Sequence, residues 1–548
     1  WGNGTPGTTG IVSSANSLVG TSEDDLVGDF IYGDVNITLL ANGNYVLCTP
    51  TWDNGSITDA GAVTFGDGTT GVTGEISAIN SLIGSTAGDK VGALYYSVSS
   101  VTELANGNYV VTSPTWDNGS IVNAGAVTFG SGTTGVSGVI SSTNSLVGVT
   151  KDDYLGRIGI NTNGVTALTN GNYVVSSPAW NNGSISDAGA ATFGDGTTGV
   201  SGTITSSNSL VGSTRFDLVG YAGVTALTNG NYVVSSPAWS DTSTTAVGAV
   251  TLGNGTTGIN GAISSTNSLV GSSNGDNVGN GRVVALANGN YVAISSSWSF
   301  DKGAVSFGNG TTGLTGILSA SNSLVGTENR SFVGLDGVTV LANGNYVVVS
   351  SQWGDASLDN LGAVTWGSAT VGVTGAVSAS NSFVGATDGD RVGSDGIVAL
   401  TNGNYVISSS KWNNGTVIDA GAVTFGEGTS GGTGVVSSSN SLVGSTEDDR
   451  LGFHYFSDPI VTPLANGNYV VVSTDWDNGS IVDAGAVTFG DGTTGVSGEI
   501  TSANSLVGTH EDDRVGGYRS GVSEVTALPN GNYLVVSRNW NNGTINDG

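Results

Sequence analysis

Ala105-Asn106-Gly107-Asn108-Tyr109-Val110-Val111 is the stretch from which the architecture of this chain can be read. Its Asn-Gly pair supplies the positive φ angles of a two-residue type I′ turn. The flanking segments, Val101-Thr102-Glu103-Leu104 before and Tyr109-Val110-Val111 after, are apolar enough to form two antiparallel strands. The expected product is a tight hairpin. Asn-Gly-Asn-Tyr occurs nine times, with its first Asn at Asn42, Asn106, Asn170, Asn229, Asn288, Asn343, Asn402, Asn466 and Asn530. Successive copies lie 64, 64, 59, 59, 55, 59, 64 and 64 residues apart, and self-similarity at such a period signals a repeat architecture.

The second copy serves to lay out one unit. Its strand from Tyr109 stops at Pro114, which removes a ladder donor. The loop Thr115-Trp116-Asp117-Asn118-Gly119-Ser120 leads to a third strand, Gly125-Ala126-Val127-Thr128-Phe129, and a Gly/Thr turn, Gly130 to Gly135, to a fourth, Val139-Ile140-Ser141-Ser142. Asn144-Ser145-Leu146-Val147-Gly148 and the acidic turn Lys151-Asp152-Asp153-Tyr154-Leu155-Gly156 close the unit. Four short antiparallel strands in about 60 residues make a propeller blade. The fold class expected is therefore all-β: a β-propeller of nine four-stranded units, with an open array or a β-solenoid as the alternative.

The ends bear on closure. Trp1-Gly2-Asn3-Gly4-Thr5 matches Phe129-Gly130 and Trp366-Gly367 at the end of a third strand, whereas Trp540 to Gly548 stops just before one. One array over residues 1–548 is expected, its last blade shared between residues 1–20 and 517–548. The rival reading is a window cut from a longer array. With no initiating Met and no signal sequence, the chain reads as a mature or excised piece of a precursor.

Composition narrows the class. The 548 residues include 91 Gly, no Met and only 10% charged residues, which describes a turn-rich β chain. Hydrophobic content of 37%, with 11 Trp and 16 Tyr, argues against disorder. A formal net charge of −30, from 43 acidic and 13 basic residues, disfavours nucleic acid and anionic lipid as partners. No apolar run of about 20 residues predicts a membrane span. The one cysteine, Cys48, replaces Thr112 or Ser176 of other units and reads as a small buried residue. Scarce Cys and Lys with abundant Asn, Thr, Ser and Gly point to a secreted or surface bacterial protein.

Leu146-Val147-Gly148, Asp153-Tyr154-Leu155-Gly156, the strand ending Ser176-Ser177-Pro178 and then Asp187-Ala188-Gly189-Ala190 resemble the FG-GAP repeat of bacterial proteins and integrin α chains. Asp276-Asn277-Val278-Gly279 and Asp89-Lys90-Val91-Gly92 match that repeat's first turn, and Gly125-Ala126-Val127-Thr128-Phe129 its last strand. The resemblance covers all nine units and implies a β-propeller used in extracellular adhesion or ligand binding. The family's calcium loop is replaced here by the short Asn-Gly-Asn turn, which lacks the oxygen ligands calcium requires. Repeats of this Asn-Gly-Asn-Tyr-Val-Val form are also similar to those of large bacterial surface proteins of the filamentous-haemagglutinin kind.

Three recurring positions are candidates for function. The Trp after the second strand recurs as Trp52, Trp116, Trp180, Trp239, Trp298, Trp353, Trp412, Trp476 and Trp540. An indole beside Asn and Asp suits stacking on a sugar ring, and packing between adjacent units is the competing reading. The Asp before x-Val/Leu-Gly recurs as Asp25, Asp89, Asp153, Asp217, Asp276, Asp390, Asp449 and Asp513, with Ser331 in the remaining unit. Both residue types accept backbone N–H bonds, so a structural turn role is expected. Asn16, Asn80, Asn144, Asn208, Asn267, Asn322, Asn381, Asn440 and Asn504 read as hydrogen-bonded turn residues. The Asn-Gly-Ser/Thr sequons at Asn54, Asn118, Asn182, Asn414, Asn478 and Asn542 also read as turns in a bacterial protein.

Selectivity is expected on two loops that vary between units. One spans eight residues between Gly92 and Val101 but only Tyr221-Ala222-Gly223 between Gly220 and Val224; the other is Ser299-Phe300-Asp301-Lys302. The acidic clusters Glu23-Asp24-Asp25, Glu447-Asp448-Asp449 and Glu511-Asp512-Asp513 suit weak, local calcium binding at most, and no cofactor is expected. His454 and His510 are unrepeated, and Cys48 has no evident base. Tyr95-Tyr96, His454-Tyr455-Phe456 and Tyr518-Arg519 are the main irregularities. The function expected is non-enzymatic extracellular binding or adhesion, with a glycan or cell-surface protein as partner. The alternative is a structural filament that self-associates. A polysaccharide hydrolase, needing two carboxylates about 5 to 10 Å apart, is the outsider.

Overall fold

The computed structural model describes residues 2, 9–28, 36–94, 99–159, 162–453, 460–518, 521–542 and 545–546. The chain forms two compact units, Trp1–Ala285 with Asn309–Ile317, and Leu286–Gly308 with Leu318–Gly548. Both are built from one repeating all-β element. In its second copy, Val101–Glu103, Tyr109–Ser113 and Ala126–Gly130 run antiparallel in that order. Ser145–Val147 then pairs antiparallel with Ala126 to Thr128. Gly138–Val139 leaves this sheet and lies parallel to Leu82 and Ile83 of the preceding repeat. In turn, Leu146 and Val147 receive Gly202–Thr203 of the following repeat in parallel.

A complete sheet thus has five strands, one of them donated by its neighbour, which corrects the four-stranded blade expected from the sequence. The reason lies in Asn144. Its side-chain oxygen accepts the Ser141 N–H at 2.9 Å and its amide donates to the Val139 carbonyl at 3.0 Å. These bonds fold residues 139–145 into a turn, so the expected strand over Val139 to Ser142 is cut short and the supposed closing segment at Ser145 begins a new one.

The hairpin also differs from expectation. Gly107 donates to the Leu104 carbonyl at 2.9 Å, and Leu104 donates to the Asn108 carbonyl at 2.8 Å. Gly107 takes φ +83° while Asn106 stays outside the positive region. The loop is therefore a three-residue one, a type I turn followed by a left-handed glycine, instead of type I′. Side-chain demands explain both Asn residues. The Asn106 and Asn108 amides donate to the Gly196 carbonyl of the next repeat at 2.6 and 2.8 Å, and the Asn108 side-chain oxygen accepts the Gly132 N–H at 2.9 Å. The hairpin tip is thus a staple between repeats.

Both faces of each inner sheet are apolar and covered. Tyr109, Val111, Trp116 and Ala126 pack on Val46, Cys48, Val63 and Leu82 of the first repeat. The alternate residues Val110, Val127, Leu146 and Leu155 pack on Tyr173, Val175, Trp180 and Ala190 of the third. Strands buried on two faces read as apolar runs, without the alternation of a half-exposed sheet. Each fully buried Val or Leu contributes about 1.5–3 kcal/mol, and no repeat covers either of its faces alone. Stacking is the source of stability. The second unit repeats the arrangement, with Val347, Val364 and Phe383 against Tyr405, Ile407 and Trp412. No helix among the described residues is long and apolar enough to cross a membrane.

Candidate functional site

The recurring tryptophans fall into two groups. Trp52, Trp116, Trp180, Trp239, Trp353, Trp412 and Trp476 are all buried, at 3–5% exposure, inside the seams between successive sheets. Their ring faces contact protein, so the repeated sugar-stacking platform expected as one reading is corrected to packing at these seven positions. Trp298 is half-buried in the shortened repeat. Trp540, beside the last described strands, is 38% exposed.

The recurring aspartates tie two loops together. Asp153 Oδ2 accepts the N–H groups of Val149 and Thr150 at 2.9 and 2.8 Å. Its Oδ1 accepts the Asn181 N–H at 3.0 Å and the Thr150 hydroxyl. The same pattern holds Asp25 to Asp53, Asp89 to Asp117, Asp217 to Ser240, Asp390 to Asn413, Asp449 to Asp477 and Asp513 to Asn541. Asp276 accepts the Ser272 and Ser273 N–H groups, each at 2.8 Å. At the ninth position the buried Ser331 hydroxyl has no partner. These carboxylates are structural.

Burial pushes the carboxyls of Asp89, Asp153 and Asp449 up from their ordinary values, although their hydrogen bonds act the other way. Asp483, also desolvated, is pushed up to about 6 despite Arg514 beside it. An acid whose folded value is raised favours folding when protonated, so this stabilisation is present below about 3.8 and is lost as pH rises through about 6. Asp491, held down at about 2 by Thr493 and Thr494, acts in the opposite sense at lower pH, losing its contribution as pH falls from about 3.8 through about 2. Thermal melts are therefore expected to show higher stability at pH 5 than at pH 7. Relief of repulsion within a chain of net charge −30 acts in the same direction.

Other candidates resolve into structure. The Asn118 side-chain amide donates to the Gly148 carbonyl at 2.9 Å, and Asn54, Asn182, Asn414 and Asn478 do likewise in their repeats. Asn542 is described in backbone only. Cys48 is fully buried, and burial raises its thiol to about 11, which leaves it no nucleophilic form near neutral pH. Asp448 pairs with Arg450 at 2.7 Å, while Arg514 bridges Asp475, Asp483 and Asp512. Among the described residues no cluster of three or more His, Cys, Asp or Glu side chains is placed to hold a metal. His510 is partly exposed beside Asp513. His454, Tyr95-Tyr96, Tyr455-Phe456, Arg519 and the ends at Trp1 and Gly548 lie outside the described residues, whereas Tyr518 is 37% exposed.

Of the loops expected to carry selectivity, the one at Ser299-Phe300-Asp301 is distinctive. All three residues take left-handed φ angles of 52°, 61° and 63°, and Phe300 is 74% exposed. Tyr221, in the shortest form of the other loop, is 50% exposed.

A feature not anticipated from the sequence lies in the fourth repeat. There a cleft of about 490 Å³ opens beside Trp239. Outside the shortened fifth repeat, the position five residues after the Trp is otherwise apolar, as in Ile57, Ile121, Ile185, Leu358, Val417 and Ile481, and Ile121 packs against the seam. In the fourth repeat that position is Thr244. Two residues after the Trp, Asp241 stands where Asn118 stands in the second repeat, and a carboxylate cannot donate to the corresponding carbonyl, that of Gly271. Asp241 Oδ1 instead accepts the Ser243 and Thr244 N–H groups at 2.7 and 2.6 Å. The sequence signal was present: Trp239-Ser240-Asp241-Thr242-Ser243-Thr244 departs from Trp-x-Asn-Gly-Ser/Thr-Ile/Val. A larger, apolar cleft of about 840 Å³ lies among Leu506, Val535, Val536 and Trp540. The corresponding Leu146 of the second repeat packs with Ala190, on the next repeat's third strand.

No curated protein matches the chain. Among solved structures it is similar to PorZ, an essential bacterial surface component of the type-IX secretion system of Porphyromonas gingivalis. The identity is 11% and the TM-score 0.20, over 87% of this chain and 58% of that one. It is also similar to the endo-1,5-α-L-arabinanase of Thermotoga petrophila RKU-1, at 10% identity and TM-score 0.16, over 71% of this chain and 79% of that one. Likeness at these scores carries no structural or functional weight. A family profile, by contrast, matches residues 1–29, 39–93, 103–157, 167–221, 226–280, 285–335, 340–394, 399–453, 463–517 and 527–548. Ten segments, with short ones at the two ends, replace the count of nine units, because the half repeats at the ends are framed separately. What is shown is a tandem repeat of about 55 residues, and kinship with FG-GAP repeats is no part of it. By this match over most of its length, the chain belongs to the family described as a repeat of unknown function, DUF5650.

Proposed function

We propose that this chain is a non-enzymatic repeat array of a bacterial surface or secreted protein, with a scaffold built by its recurring residues and binding confined to its irregular repeats. The partner proposed is a glycan or a cell-surface protein. One observation carries the reading: the residues that recur in the repeats, Trp180, Asp153, Asn106 and Asn144 among them, are engaged in packing or hydrogen bonds of the fold. What varies from repeat to repeat, such as the cleft beside Trp239 and the exposed Phe300, is left free for recognition. The acidic, hydroxyl-rich composition and single cysteine support an extracellular setting. A purely structural filament is the second reading, favoured by the same engagement of the recurring residues. Applied to a glycan array, the full chain is expected to bind saturably to a subset of glycans. Uniform absence of binding, together with concentration-dependent self-association, selects the filament.

The repeats are proposed as a stacked array in which each is stapled to the next, as at Gly171, where a Cβ would lie 3.1 Å from the Asn106 side chain of the preceding repeat.

A further inference from the structure

We infer that the cleft beside Trp239 is a binding site for one neutral sugar ring. The inference rests on the reading of the array as a binding module and names the substrate class of one of its sites. The volume, about 490 Å³, lies in the range of small-molecule sites. The lining combines two chemistries that a pyranose needs together. The exposed Ile317, with Ile263, Val270 and Trp239 behind it, supplies an apolar wall for C–H faces. Ser243, Thr244 and Ser272 contribute hydroxyls to the lining, and each hydroxyl can both donate and accept.

The two substitutions that open the site point to the same ligand. Thr244 replaces an apolar residue by a shorter one carrying a hydroxyl. Asp241 in place of Asn withdraws the amide that covers the Gly148 and Gly212 carbonyls in the second and third repeats, and the equivalent Gly271 lines this cleft. The Trp239 indole N–H is buried and without a protein partner, so it belongs to the packed seam and is not counted among the groups that meet a ligand. Trp116 and Trp180 share that unpartnered N–H, so the indole does not distinguish this repeat, whereas Asp241 and Thr244 do.

Charge excludes the alternatives. No Lys or Arg lines the cleft, and Asp241 would repel an anion. A single carboxylate already accepting two backbone N–H bonds is a poor cation site. The hydroxyl lining does not suit an aliphatic chain. The sixth repeat has the same carboxylate at Asp355, bonded to Ser357 and Leu358 in the same way, but keeps the apolar residue as Leu358, so Thr244 is the change peculiar to the fourth.

The test uses the full chain, with glucose, galactose and N-acetylglucosamine as separate probes read by saturation-transfer NMR and calorimetry. Thr244→Ile installs the residue that other repeats carry, so the variant is expected to fold and to melt no lower than the parent. Its affinity for the sugar bound by the parent is expected to fall about tenfold or more, equivalent to about 1.4 kcal/mol. Asp241→Asn, which restores the cover over the Gly271 carbonyl, is expected to weaken binding in the same direction. If the parent binds none of the three sugars, the proposal is overturned. Equal binding by parent and Thr244→Ile also overturns it, while leaving the array as a binding module with its site elsewhere.

Discussion

Replacing Asp153 with alanine is expected to destabilise its part of the array by about 3–5 kcal/mol. The carboxylate receives three backbone N–H groups, those of Val149, Thr150 and Asn181, and is fully buried. An orphaned buried donor costs about 1–3 kcal/mol, and water cannot reach these without opening the turn. Asp153→Asn is expected to be nearly as harmful. Whichever way its amide is turned, an NH₂ group replaces an oxygen that now accepts backbone N–H bonds, setting donor against donor. Asp153→Ser should be about as harmful as alanine, because the hydroxyl that occupies this place naturally at Ser331 makes no hydrogen bond. Hydrogen exchange is the suitable readout, since in stacked repeats the damage stays near the altered unit. Exchange of amides around residues 149–155 and 181 should accelerate by two or more orders of magnitude, while distant repeats keep their protection. Unchanged protection there would remove the turn role assigned to this carboxylate.

Trp180→Ala is the second change expected to have a large effect, costing about 3–5 kcal/mol, as for other buried aromatic residues cut to alanine. The indole is 4% exposed and shares a cluster with Val110, Val127 and Leu146 of the preceding repeat, so its removal opens a cavity in a seam that both sheets depend on. Trp540→Ala, at 38% exposure, is expected to cost under about 1 kcal/mol. The pair separates packing from recognition. If the recurring indoles served as sugar platforms, Trp180→Ala would abolish binding with little loss of stability. The opposite outcome is expected, with melting temperature falling and any binding at the Trp239 cleft retained.

Much of this was legible in the linear sequence. Nine copies of Asn-Gly-Asn-Tyr at a regular period required a repeat of short strands, and the recurring Asp reads as a turn acceptor, as its bonds show, whereas the shared role expected of Ser331 fails because its hydroxyl has no partner. The third strand at Ala126 to Gly130 and the hairpin partners at Val101 and Tyr109 fell where their β-branched runs put them. The exact turn type was not legible. A hairpin tip from Leu104 to Asn108 satisfies its backbone in more than one way, and the choice here depends on Asn106 and Asn108 reaching Gly196, some 90 residues away.

By itself, then, the sequence determined the all-β class, the repeat and its period and the acidic composition, because local periodicity and composition are properties of neighbours along the chain. The tertiary structure decided the exchange of Gly138–Val139 into the preceding sheet, the burial of seven tryptophans and the opening of a cleft at Thr244. Each of these depends on which face of one repeat meets the next. A tryptophan that recurs for stacking on sugars and one that recurs for packing leave the same mark in sequence, and only the position of the adjoining sheet tells them apart.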